Sequence, residues 1–478
     1  MKNPAVHKSI GAVILFTTVA LFGLFSFWAP ASSFKTSTVL FVDEGDNFIL
    51  ARKGPLTVLT TYENPNNHVF FTFLQSFLPE KLFYSNPLLF RLNNFIYVII
   101  TLLILSYILN RYAKISFLLS VCLAVGLLTI SPIQTEWLLF ARGYVLGMLL
   151  VIGGCILLVK EKNLPLISIL FALSFWTIPT YGYILPGIMV ARFCRYLQVE
   201  SLARNLARTM QLGLMTTALT LIFYSPIIKE VIDASKFSWL QGMVYQDYAA
   251  FLNAWGEGFS QMAIAKILAG SIVLLLLYCG SQILTRKTAD IYWTALMAGS
   301  TISYLAVVIL LDVLDITNPP FSRNGMFTYT FIWLGVFMSF SLLHRNVRNF
   351  LTVVFLVLTL LNLQINFLSS IVQIARKGKP YTVFDYIRDI EPKNIRTILA
   401  GPQMYPVILM LTMESHKNHK NKPIKIRKLD WNSEQRANRV FAGECDERGI
   451  PAGKDSQLDW KNKALVFPRT GGKILICY

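Results

Sequence analysis

The chain has 478 residues, of which 54% are hydrophobic and only 15% charged, with a mean hydropathy of +0.52. A soluble globular chain carries about 25% charge, so a conventional two- to four-domain soluble protein is excluded. The net charge of +18 comes without a long basic run or a nucleic-acid motif, so nucleic acid is not an expected partner. Lys and Arg in loops beside a membrane account for it instead.

Taken in chain order, long apolar blocks predict about eleven membrane-spanning helices, since about 18 uncharged residues suffice to cross a bilayer. They fall near 9–28, 92–110, 115–131, 137–159, 164–179, 181–194, 210–228, 263–284, 291–311, 325–343 and 350–371. The block 9–28 has no clean small-residue cleavage site after it and is expected to be a retained first helix. The pair 164–179 and 181–194 is short and broken by Pro165, Pro179 and Pro186. It reads as two short helices or one irregular hairpin.

Loop charge gives the direction. With the N-terminus inside, the inner loops hold fourteen Lys and Arg and the outer loops eight, the asymmetry of the positive-inside rule. The long loops 29–91, 229–262 and 312–324 then lie outside. Long loops on one face are where the work of a membrane protein is expected. Matched broken helices and mid-span charges, the marks of a secondary transporter, are not evident.

The predicted organisation is a transmembrane domain over 1–375 and a soluble tail over 376–478, with 20 Lys and Arg against 11 Asp and Glu in the tail. Strands are predicted at Asn394–Ala400, Ile424–Leu429, Ala464–Phe467 and Lys473–Cys477, and helices at Tyr381–Ile390 and Met404–Met413. The expected fold class is therefore an all-α polytopic membrane protein with a small C-terminal α/β domain. Cys122, Cys155, Cys194 and Cys279 sit in or beside apolar blocks and read as small core residues. Cys445 and Cys477 are both in the tail, where an oxidising compartment would allow a disulfide.

Four stretches carry candidate chemistry. Asp43, Glu44 and Asp46 place three carboxylates just after the first span. They read either as a solvated loop start or as a working group. In the second case one takes a proton from an acceptor hydroxyl, or holds a divalent metal against a phosphate. His68 follows an Asx- and Pro-rich turn and precedes an apolar stretch that could lie along the membrane surface. It is a donor to a phosphate or sugar hydroxyl, or a capping residue. Arg142 and Tyr144 open the fourth span, and Arg323 precedes the tenth. Each arginine could clamp a phosphate or act as a snorkelling anchor.

Together, the Asp43-Glu44 pair after the first span, the Asn67-His68 pair, the Ala141-Arg142-x-Tyr144 motif and Arg323 before a late span resemble the GT-C superfamily of membrane glycosyltransferases. The likeness is to the protein-mannosyltransferase and aminoarabinose-transferase type. It covers most of 10–370 in layout and 40–145 specifically. The resemblance implies a sugar donor on a polyprenyl (undecaprenyl) phosphate carrier and an acceptor on the outer side of a bacterial inner membrane. Asp43 would be the catalytic base with Glu44 beside it. Arg142, Arg323, His68, Asp46 and Tyr144 would contact the carrier phosphate or substrate. The sequence departs from the family where His68 is followed by Val69-Phe70 instead of Pro-Pro. Abundant Lys, Asn, Ile and Phe point to an AT-rich bacterial or phage-derived gene. The expected acceptor is a surface polysaccharide such as lipopolysaccharide O-antigen, the alternatives being lipid A or protein, or a non-enzymatic polysaccharide flippase.

Overall fold

In the computed structural model the described residues are 47–48, 50–62, 68–78, 91–129, 140–197, 199–234, 289–314, 325, 327–357, 397–400, 425–428, 441–443 and 474–477. Contacts group the chain into two compact units. One comprises Met1–Ala29, Pro55–Leu74 and Leu92–Ser369; the other comprises Pro30–Gly54, Gln75–Arg91 and Ser370–Tyr478.

The larger unit is helical. Its helices are Pro55–Thr60, Val69–Gln75, Leu92–Arg111, Phe117–Thr129, Tyr144–Val159, Leu164–Thr177, Leu185–Tyr196, Leu202–Tyr224, Ile228–Ala234, Ala289–Val313 and Phe327–Ser339, with a further helix over 345–357. Among the described residues three stretches, Leu92–Arg111, Leu202–Ile232 and Ile291–Leu311, are long and apolar enough to cross a membrane, and four shorter helices are also apolar. The long helices keep large side chains on the outside: Ile96, Ile100, Leu103 and Tyr107 on one, Leu214, Leu221 and Ile222 on another. Apolar stripes of this extent would be untenable in water and suit contact with lipid. The predicted spans 9–28 and 263–284 lie outside the described residues.

The proline-broken pair is two helices. Asn163 caps the first, its side chain accepting from the Leu166 backbone N–H at 3.2 Å, and Pro165 sits in the opening turn, where its missing N–H costs nothing. Ile178 is forced into extended backbone by the following Pro179. A 3-10 turn over Pro179–Ile184 then leads straight into Leu185–Tyr196. The helix expected over 210–228 begins eight residues earlier, at Leu202, because Ser201 supplies the N-cap, accepting from the Arg204 N–H.

Packing follows the chain. Leu92–Arg111 pairs with Phe117–Thr129 and with Tyr144–Val159, and the latter pairs with Leu164–Thr177. Leu202–Tyr224 lies against Leu164–Thr177 and Leu185–Tyr196, and Ala289–Val313 closes on Leu185–Tyr196 and Phe327–Ser339. With no hydrophobic drive between helices in lipid, small residues set these approaches. A Cβ on Gly187 would collide with the backbone carbonyl of Gly299 on the facing helix. One turn along, Ser303 Oγ donates to the Tyr183 carbonyl at 2.7 Å. A Cβ on Gly154 would press into the Phe171 ring, and Ser174 Oγ donates to the Gly147 carbonyl at 2.8 Å.

In the second unit the tail carries a four-stranded sheet, order β2-β1-β4-β3, built from β1 (Thr397–Ala400), β2 (Lys425–Lys428), β3 (Phe441–Gly443) and β4 (Ile474–Cys477). β1 pairs parallel with β2 and antiparallel with β4, and β3 pairs parallel with β4. Three of these strands fall within the ranges expected from the sequence, and β3 was not expected. The strand expected at 464–467 and the helices expected at 381–390 and 404–413 lie outside the described residues.

Candidate functional site

The turn before Tyr144–Val159 gathers three of the seven predicted site residues. Residues 140–143 are a tight bend rather than the start of the fourth span, with the Arg142 N–H turned back to the Phe140 carbonyl at 2.6 Å. Gly143 is the N-cap residue. It is glycine for a spatial reason. A Cβ there would collide with Thr177 and stand 3.1 Å from the Phe71 Cβ and 3.2 Å from the His68 Cβ. Three segments distant in sequence therefore converge on one peptide.

Around it, the His68 ring lies edge-on to the Tyr144 ring, with centroids 4.7 Å apart. The Arg142 guanidinium sits 5.8 Å from the centre of the same ring. Tyr144 is fixed from below, its carbonyl accepting from the Tyr181 hydroxyl at 3.0 Å. Arg142 is only 1% exposed and His68 4%. Arg142 is therefore no snorkelling anchor, whose head group would reach water. Enclosing a guanidinium costs several kcal/mol unless partners hold it (on the order of what an ion pair returns), and Arg142 does engage partners.

The helix after His68 does not lie along a surface as expected. Val69, Phe71 and Thr72 are buried. Phe70 stacks on Trp176 at 5.4 Å, and Trp176 stacks on Phe223 at 5.0 Å from its other neighbour helix. The aromatic run is consumed by protein contacts, so the apolar periodicity that suggested a membrane face belongs to an internal one.

Tyr62 is a residue that sequence reasoning missed. It is buried, and burial pushes its phenol up to about 12, while the Arg142 guanidinium pulls in the opposite direction. It therefore stays a neutral donor at physiological pH, in the electrostatic field of Arg142. Nothing in the Thr61-Tyr62-Glu63 spacing marks it. Trp176 and Thr72 were missed for the same reason. The Trp176 Nε1 and the Thr72 Oγ1 are buried and have no hydrogen-bond partner among the described residues. Thr72 lies one helical turn past His68, and Trp176 adjoins the Thr177 that abuts Gly143. Among the described residues, buried donors without a partner also occur away from this turn, at Ser168 and Trp333.

Asp43, Glu44, Asp46 and Arg323 lie outside the described residues. Among the described residues no cluster of His, Cys, Asp and Glu could hold a metal ion. The described cysteines Cys122, Cys155 and Cys194 are free.

A second polar cluster occupies the far end of the Leu202–Tyr224 helix. Near its C-terminus, the Tyr224 hydroxyl donates to the Phe175 carbonyl at 3.1 Å, beside the Arg142 turn. Near its N-terminus, Arg192 donates to Asn205 Oδ1 at 3.0 Å and Thr209 Oγ1 at 2.7 Å. The two clusters are thus roughly 20 to 30 Å apart along the helix axis, on opposite ends of the bundle.

No protein-family model, curated protein or solved structure matches the chain. Fold and composition define it as a helical protein with apolar helices compatible with a membrane.

Proposed function

We propose that the chain is a GT-C-like membrane glycosyltransferase, moving a sugar from a polyprenyl-phosphate carrier to an extracytoplasmic acceptor such as a cell-surface polysaccharide. About eleven spans, an inside N-terminus and an outside tail in a bacterial inner membrane complete this reading. The observation that carries it is the convergence of His68, Arg142 and Tyr144 on one enclosed turn. A buried guanidinium beside neutral Tyr donors is suited to hold a phosphate while its negative charge grows. The orphaned donors of Thr72 and Trp176 supply what sugar hydroxyls or phosphate oxygens would accept.

In the mechanism, Asp43 takes the proton from the acceptor hydroxyl. The hydroxyl oxygen attacks the anomeric carbon from the face opposite the carrier. The bond to the phosphate oxygen breaks, and polyprenyl phosphate leaves with its charge balanced by Arg142 and Arg323. The sugar is inverted at that carbon. A buried or like-charge setting would raise the proton affinity of one carboxylate in 43–46 toward the working pH, as a base needs.

The test is mass analysis of surface glycans and lipid A from cells carrying the wild-type gene, a deletion, or Asp43→Asn. A hexose-sized mass increment that needs the gene and disappears with Asp43→Asn is expected. An increment that survives Asp43→Asn at near wild-type level refutes the base, and no gene-dependent increment refutes the transferase.

A further inference from the structure

The second polar cluster is built to present arginines at the edge of a membrane span. From Thr209 to Ile228 the Leu202–Ile232 stretch carries no charge, a run of 20 residues. At about 1.5 Å per residue this matches a hydrocarbon core of about 30 Å. The turns before it, from Leu202 to Arg208, therefore stand at head-group level.

Those turns are held in a fixed rotation. Arg192, buried on the neighbouring helix, bonds Asn205 Oδ1 and the Asn205 carbonyl (3.0 and 3.3 Å) and Thr209 Oγ1 (2.7 Å), while the Asn205 amide donates to the Phe193 carbonyl at 2.7 Å. Glu200 accepts from Arg208 and lies 3.7 Å from Arg192. With Asn205 and Thr209 turned inward, Arg204 and Arg208, one turn apart, are exposed on an adjoining flank. Below them on that flank, at helical spacing, come Gln211, Met215, Ala218 and Ile222, none of them buried. Arg192, Arg204 and Arg208 against Glu200 leave three positive charges to one negative, a net of +2.

We propose that this flank binds an anionic phospholipid. Its phosphate sits between Arg204 and Arg208, and one acyl chain lies along Gln211, Met215, Ala218 and Ile222. Three features converge on this occupant: charge complementarity, the coincidence of the arginines with the end of a span-length uncharged run, and an apolar track of Met215, Ala218 and Ile222 that follows one turn of polar helix into the bilayer. A soluble anion would use the arginines and leave the track uncovered. Glu200 pairs with both Arg208 and Arg192, which ties the exposed flank to the buried lock. The proposal does not depend on the glycosyltransferase reading.

Native mass spectrometry of the purified full chain in detergent tests it, with titration of phosphatidylglycerol and of phosphatidylcholine. Wild type should bind the anionic lipid more tightly, and each arginine removed should cost about five-fold in that preference. Arg204→Ala with Arg208→Ala should abolish the preference, and Arg204→Gln alone, outside the Arg192–Glu200 network, should reduce it. Arg111→Ala with Lys114→Ala removes the same charge elsewhere and should leave it unchanged. Absence of a preference in wild type overturns the proposal, as does an undiminished preference in Arg204→Gln. Equal loss in the two double variants also overturns it, because the attraction would then be the diffuse field of a basic protein.

Discussion

In the proposed transfer, Arg142 is the described residue that balances charge on the leaving carrier. Its enclosure in a bend beside the Tyr144 ring gives it a geometric task that charge alone does not meet. Arg142→Ala is expected to lower glycan transfer on the order of a hundred-fold, the usual loss when one preorganised donor to a developing anion is removed. Arg142→Lys keeps the charge but loses the planar fork, and should recover only part of the rate. Transfer at wild-type level in both variants would show that the residue is purely structural. Tyr62 offers a measurement independent of activity. Its phenol titrates near 12 in the folded protein against about 10 in an unfolded chain. The folded state therefore retains the proton that the unfolded state loses. The stabilisation is complete below pH 10 and disappears as pH rises through 12, about 2 to 3 kcal/mol in all. Melting in detergent across that window should fall less steeply for Tyr62→Phe than for wild type. Parallel slopes would mean that Tyr62 is solvated.

At the scale of the element, glycine placement decides which helices touch. Gly187 and Gly299 bring two helices into backbone contact, so an added side chain meets a carbonyl and not a yielding rotamer. Gly187→Val should destabilise the bundle by about 1–3 kcal/mol, the range for overpacking, seen as a lowered melting temperature. Gly182→Ala is the control: its new Cβ would stand 3.7 Å from the Phe175 ring, ordinary contact, and melting should barely change. A Gly187→Val protein as stable as wild type would mean that the crossing is looser than drawn. The proline-broken region shows the same logic in the backbone. Pro165 and Pro179 each stand where a helix or a 3-10 turn begins, so they punctuate the segment without breaking a hydrogen-bond ladder.

For the whole molecule, the proposed direction of the chain makes a separate prediction. With the tail outside the cytoplasm, Cys477, at the end of β4, and Cys445 would meet an oxidising environment. Mass spectrometry of protein alkylated without reduction should find both tail thiols blocked in a Cys445–Cys477 disulfide, while Cys155, buried among the helices, stays a thiol. Free Cys445 and Cys477 in protein taken from intact cells would place the tail in the cytoplasm and remove one crossing from the count.

The sequence by itself determined what depends on local rules. Span-length apolar runs at 92–110 and 291–311 became helices at Leu92–Arg111 and Ala289–Val313, because in lipid every backbone group must be satisfied within its own segment. Prolines marked the short pair 164–194, and three strands of the tail were legible in the sequence. Residue type alone singled out His68, Arg142 and Tyr144. Their mutual distance was a different matter. His68 and Tyr144 lie 76 positions apart, and only the crossing at Gly143, where no Cβ fits, brings their rings to 4.7 Å. Tertiary packing also buried Arg142, turned the stretch after His68 inward onto Trp176, and recruited Tyr62, Trp176 and Thr72. These decisions belong to pairs of side chains from separate helices, and no periodicity within a single segment can encode them. The same holds for the Arg192 lock, which sets the rotation of one helix and so the flank on which Arg204 and Arg208 are exposed.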